Sequence, residues 1–210
     1  MEARGLYFIV DPEHTAGRDP VEVCRLALRG GAALVQYRDK LHDKGDQLPE
    51  VERLLAVCGG FGAPLLINDH VDLALAAGAD GVHVGQHDLP VAVARRLLPA
   101  GAIVGCSTNN PEEARAAEAA GAAYIAVGRI FPTGSKANTR PASLDTIRQV
   151  RAAVSRPIVA IGGITPANVE QVIEAGADLA AVIAAVGEAE DVETAARAIA
   201  SRFRMAAGRA

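Results

Sequence analysis

The stretch PLLINDHVDLALAAGADGVHVGQHD, residues 64–88, decides the fold. It holds two short apolar runs, Pro64–Asn68 and Gly81–Gly85, with one helical stretch, Val71–Ala77, between them. Strands joined by a helix pair in parallel through a right-handed crossover. Asp69 and Asp88 each follow one of the apolar runs. If the runs are parallel neighbours, both carboxylates reach the same rim of one sheet.

The alternation extends in both directions. Strands are expected at Leu6–Asp11, Ala33–Arg38, Pro64–Asn68, Gly81–Gly85, Ala102–Ser107, Tyr124–Gly128, Pro157–Ile161 and Leu179–Ile183. Helices are expected near 20–30, 46–59, 70–77, 90–98, 111–120, 143–154, 166–175 and 191–204. Eight strand–helix units match a closed (β/α)8 barrel. The fold class expected is therefore α/β, a single TIM barrel over residues 1–210 with eight parallel strands inside a ring of helices. A weak repeat supports the count. Gly30-Gly31, Ala77-Gly78, Ala120-Gly121 and Ala175-Gly176 precede the even-numbered strands, where glycine suits a left-handed helix cap.

Composition fits that expectation. Half of the chain is apolar, only 3% is aromatic, and there is no Trp. The core must come from Ala, Val, Leu and Ile, as in parallel strands buried on both faces. A net charge of −4, with no basic run and no interleaved aromatics, disfavours nucleic acid as a partner. No apolar run reaches the roughly 18 residues that span a membrane. The opening Met-Glu-Ala-Arg-Gly carries no signal-peptide features. Cys24, Cys58 and Cys106 are widely spaced and form no C-x-x-C, which suits reduced thiols in a cytoplasmic protein. The sequence leaves a homo-oligomer open.

Four constellations carry chemistry. Asp69 and Asp88 offer the oxygen ligands that Mg²⁺ takes together with substrate phosphate and water. The alternative is that each caps the next helix. Gln36, Arg38 and Lys40 alternate onto one side of the second strand and its loop, a cationic patch suited to a polyphosphate. The alternative there is an exposed charged loop. Phe131-Pro132-Thr133-Gly134-Ser135-Lys136 sets hydroxyls and a lysine around a glycine, which can wrap a phosphate. Gly162-Gly163-Ile164-Thr165 follows the seventh strand, with Ile183-Ala184 as its counterpart after the eighth, where barrels often bind phosphate. Thr165-Pro166 is expected to open the seventh helix. Residues 38–45 and 129–141 are polar, basic loops at the C-terminal ends of strands and are expected to act as lids. His83 reads as a satisfied core histidine rather than a catalyst, and packing is the default for Cys106.

Taken together, QYRDK (36–40), residues 68–88, FPTGSK (131–136) and PIVAIGGITPANVEQVIEAGAD (157–178) resemble the thiamine phosphate synthase family over essentially the whole chain. The resemblance implies a (β/α)8 barrel that joins hydroxymethylpyrimidine diphosphate to thiazole phosphate and releases pyrophosphate. It implies Mg²⁺ on Asp69 and Asp88. Gln36, Arg38, Lys40, Asn68 and Lys136 would hold the diphosphate. Thr133, Ser135, Gly163 and the backbone at Ile183 and Ala184 would hold the thiazole phosphate. Ser107 would sit beside the leaving group, so Arg38, Lys40, Ser107 and Lys136 are the expected catalytic residues.

Three positions depart from the family's usual pattern: Asn109 where Ser-x-His is common, Arg129 where Gly-Pro is common, and Ala184 where a serine is common. Arg129 either compensates for the serine missing at 184 or faces solvent. The alternatives are a thiazole tautomerase-like barrel and a catalytically silent barrel that binds thiamine phosphates. Asn109 and the intact diphosphate set argue against the first, and the retained aspartates against the second.

Overall fold

The computed structural model describes residues 4–134 and 140–207. Eight parallel strands close in sequence order, β1 (Gly5–Val10), β2 (Ala32–Tyr37), β3 (Leu65–Asn68), β4 (Gly81–Val84), β5 (Ile103–Thr108), β6 (Tyr124–Gly128), β7 (Ile158–Ile161) and β8 (Leu179–Val182). The ring shuts where β1 pairs with β8, Gly5 opposite Leu179 through Phe8 opposite Val182. Every strand lies within one residue of its expected bounds. The outer ring is α1 (Pro20–Arg29), α2 (Lys44–Phe61), α3 (Val71–Ala77), α4 (Val91–Leu97), α5 (Pro111–Ala119), α6 (Leu144–Ala153), α7 (Val169–Glu174), α8 (Ala184–Gly187) and α9 (Val192–Ala207). Among the described residues no helix is long and apolar enough to cross a membrane.

Alternation along each strand splits the core into two layers. Inside the barrel lie Tyr7, Ile9, Leu34, Leu66, Tyr124, Val159 and Leu179 with smaller residues. Between strands and helices lies a larger layer that includes Phe8, Val35, Leu65, Ile67, Val82 and Ile125. Both faces of each strand are therefore apolar, and that is why the strands read as continuous hydrophobic runs. Gly105 makes room for the largest inward ring, because a Cβ there would lie 1.9 Å from Tyr124 Cζ. The repeated glycines do cap helices: Gly78, at φ +66°, donates its N–H to the last carbonyls of α3.

The seventh and eighth units differ from the sequence expectation. The seventh helix starts at Val169, not at Pro166. The Asn168 side chain accepts from the Thr165 N–H at 2.8 Å and donates to the Gly163 carbonyl at 2.9 Å. These bonds hold residues 165–168 in a turn, so Thr165 does not cap the helix. One short helix, α8, was not expected; its four residues follow β8 directly.

Candidate active site

A cavity of about 860 Å³ opens at the C-terminal ends of the strands. Its walls carry residues from the loop after β2 and from β3 through β8 with the loops that follow them. Two poles differ in chemistry. One, after β2, β3 and β4, holds the acidic pair and the basic patch. The other, after β6, β7 and β8, is glycine-rich.

Asp69 and Asp88 do not cap helices. The residue before α3 is His70, with no side-chain cap, and the residue before α4 is Pro90, also without one. Asp69 instead adopts φ +63°, a left-handed backbone uncommon outside glycine, and its N–H bonds the His83 carbonyl at 2.8 Å. Asp88 accepts from the Gly85 N–H at 2.7 Å, which closes the turn after β4. The two carboxyls lie close enough to shift each other's ionisation. Burial pushes Asp69 up, but the Lys40 ammonium and the contact with Asp88 outweigh it and hold Asp69 below its usual range. Burial and the neighbouring Asp69 charge push Asp88 up, against the Gly85 N–H. Two neighbouring carboxylates resist ionising together, and a hard divalent cation would relieve that repulsion. Among the described residues no third acidic, His or Cys ligand joins the pair. That donor set fits a cation completing its shell with phosphate and water.

The basic patch is built beside it. Lys40 Nζ lies 2.7 Å from Asp69 Oδ2. Arg38 lines the cavity and is ion-paired to Asp11, at the end of β1, whose carboxylate is fully buried. Asn68 also lines this wall. Gln36 does not. It is 1% exposed and lies beneath the floor, where Nε2 donates to the Tyr7 hydroxyl and Oε1 has no hydrogen-bond partner. The turn after β2 is shorter than expected, since α2 begins at Lys44. Asp39 braces it by accepting from the Leu41 N–H at 2.8 Å and from the Tyr37 hydroxyl at 2.8 Å.

A hydrogen-bonded chain crosses the floor from Gln36 to Ser107. Tyr7 and Tyr124 hydroxyls meet at 2.9 Å, Tyr124 bonds His83 Nδ1 at 2.8 Å, and His83 Nε2 bonds Ser107 Oγ at 2.9 Å. Burial pushes both phenols well above their ordinary pKa, so they stay neutral links. His83 is satisfied, as the sequence suggested, and it also forms cavity wall. Cys106 is buried, and burial foremost pushes its thiol up to about 11, so it is no ready nucleophile.

At the second pole, Gly163 (φ +63°) sits so close to the loop after β6 that a Cβ would lie 2.5 Å from the Pro132 carbonyl. Thr133, Gly163, Ile183 and Ala184 all line the cavity here. Ser135 and Lys136 lie outside the described residues. Asn109 donates to the carbonyls of Gly128 at 2.7 Å and Arg140 at 3.0 Å, tying both ends of the β6 loop. Arg140 is in turn held by Glu113 at 2.9 Å.

The sequence reading missed Tyr7, Tyr124, Asp11, Asn168 and Glu113. Only the tyrosines left a signal: three occur in the whole chain, and two fall at inward positions of strands.

The comparisons agree with this architecture. The family model described as Thiamine monophosphate synthase matches residues 6–186. A Thiamine-phosphate synthase of Natronomonas pharaonis is 48% identical over 200 residues, 93% of each chain. One from Shouchella clausii is 46% identical, covering 95% of this chain and 96% of that protein. Among solved structures, thiamine phosphate pyrophosphorylase from Pyrococcus furiosus superposes with a TM-score of 0.87 at 34% identity, covering 95% of this chain and 96% of that one. With its match over most of its length and relatives near half identity, the chain belongs to the thiamine monophosphate synthase family.

Proposed function

We propose that the protein joins hydroxymethylpyrimidine diphosphate to thiazole phosphate, giving thiamine phosphate and pyrophosphate. The observation that carries this reading is the two-pole cavity. Paired carboxylates with Arg38 and Lys40 stand on one side, and a glycine-rich wall without carboxylates stands on the other.

Asp69 and Asp88 would hold Mg²⁺, which supplies neutralisation of the charge growing on the departing pyrophosphate. Lys40, now on Asp69, would yield that carboxylate and turn to the diphosphate, alongside Arg38, Asn68 and Lys136. Gln36 lies too deep to touch phosphate and would face the pyrimidine ring from below, where its unpartnered Oε1 calls for a donor. Ser107, oriented by His83, would stand by the leaving group. Thr133, Ser135, the Gly163 backbone and the backbone at Ile183 and Ala184 would hold the thiazole phosphate.

The aminopyrimidine carries enough electron density to expel pyrophosphate and leave a benzylic-type cation, which the thiazole nitrogen attacks. Neither step needs a protein base, and the floor offers neutral phenols and no strong base. What the protein must do is stabilise leaving-group charge and keep the cation dry. A tautomerase-like reading finds no support, because the amide of Asn109 is committed to two loop carbonyls. The test is product formation with purified protein, both substrates and Mg²⁺. Pyrophosphate and thiamine phosphate should appear in equal amounts. Folded protein that binds both substrates and releases no pyrophosphate would favour the silent barrel.

A further inference from the structure

Four described cations line the cavity: Arg38, Lys40, Arg129 and Arg140. Three are matched by carboxylates, Arg38 by Asp11, Lys40 by Asp69 and Arg140 by Glu113. Among the described residues the Arg129 guanidinium has no ion pair and no hydrogen bond. Its backbone is nevertheless fixed, with its N–H on the Arg140 carbonyl at 3.2 Å and its carbonyl on the Ala142 N–H at 2.8 Å. Its stem lies on the β7 turn: a Cβ on Gly162 would meet Arg129 Cα at 2.8 Å and Cγ at 2.9 Å. The side chain is half-buried in the wall. Among the described residues the only carboxylates lining the cavity are Asp69 and Asp88, both at the opposite pole.

A guanidinium held in a cavity wall without an ion-pair partner is free to take an anion from solution. Its planar fork suits a phosphate, which it can grip through two parallel N–H···O bonds. With no carboxylates nearby, the anion needs no bridging metal.

We propose that Arg129 is the charge partner of the phosphate bound at the β6–β7–β8 pole, and so selects the phosphorylated thiazole over its free alcohol. This rests on the reaction proposed above, but the anion site itself does not. Among the described residues Arg129 forms no ion pair, so its replacement leaves the described ion pairs intact.

The experiment compares wild type, Arg129→Gln and Arg129→Lys in the full chain. Substrates are the pyrimidine diphosphate with either thiazole phosphate or thiazole alcohol, and pyrophosphate release is followed. Losing a charge-assisted contact should raise KM for thiazole phosphate about tenfold or more in Arg129→Gln. Arg129→Lys should recover part of the loss. KM for the alcohol and for the pyrimidine diphosphate should stay within about twofold. An unchanged KM for thiazole phosphate, or an equal rise for the alcohol, overturns the assignment. If wild type releases no pyrophosphate, the reaction fails on its own, and calorimetric titration with inorganic phosphate decides Arg129 separately. Weaker phosphate binding in Arg129→Gln, partly restored in Arg129→Lys, upholds the anion site; equal binding by wild type and Arg129→Gln overturns it.

Discussion

Tyr124 gives one hydroxyl to two neighbours, Tyr7 and His83, inside a barrel otherwise filled by aliphatic side chains. Its ring meets Tyr7 edge-on at 5.9 Å, and that packing survives in Tyr124→Phe. The hydroxyl does not, so the Tyr7 and His83 groups lose their shared partner in a dry place. Tyr124→Phe should cost about 1–3 kcal/mol in urea unfolding. It should also lower turnover through the slackened Ser107; an unchanged midpoint would show the chain is dispensable. Asp11 matters in the same way to Arg38. Removing one member of a buried pair costs about 3–5 kcal/mol, so Asp11→Ala should destabilise the fold by about that amount and weaken diphosphate binding. A loss below about 1 kcal/mol would mean the pair is solvated. Of these partners only the scarce tyrosines left a trace in the sequence. Asp69 and Asp88 announced themselves by ending apolar runs, whereas Asp11, Tyr7 and Tyr124 gain meaning only when strands distant in sequence become neighbours. Gln36 was read onto the correct face of its strand but one layer too high.

The strands were legible because burial on both faces writes itself as unbroken apolar runs. The elements that escaped notice are held by side chains instead. Asn168 bonds both Thr165 and Gly163, which delays α7 past the Thr-Pro pair that ordinarily opens a helix. The turn after β2 depends similarly on Asp39. Burial pushes its carboxyl up, but the Leu41 N–H, His42 and Tyr37 bonds outweigh it and hold the pKa below the ordinary value. The folded turn therefore binds that proton less readily than the unfolded chain does. Its stabilisation is complete above the ordinary aspartate pKa and drains away as pH falls through the lowered one. Asp39→Asn should cost about 2 kcal/mol at neutral pH, and the gap to wild type should close in acid. A gap that stayed constant with pH would rule out Asp39 as the brace. Within β5, Gly105→Ala drives a methyl into the Tyr124 ring and should cost about 1–3 kcal/mol, measured by thermal or urea unfolding.

At the scale of the molecule, closing β8 onto β1 leaves no sheet edge and gathers the ends of β3 to β8, with the loop after β2, around one cavity. Strand order and count could be read from the alternation alone, because right-handed crossovers leave few topologies open. The two poles were foreshadowed by the separate acidic and glycine-rich motifs, but which cations find carboxylates could not be read, because Asp11 and Glu113 meet Arg38 and Arg140 only in the folded barrel. That division underlies the central proposal, that the acidic pole binds a metal–diphosphate with Asp88 as a ligand. The most direct test is the Mg²⁺ dependence of pyrophosphate release by wild type and Asp88→Asn, with both substrates saturating. The account predicts a rate that needs Mg²⁺ in wild type. In Asp88→Asn the half-saturating Mg²⁺ should rise at least about tenfold, the loss expected when a charged ligand is neutralised. Superimposable Mg²⁺ curves for the two proteins would contradict it.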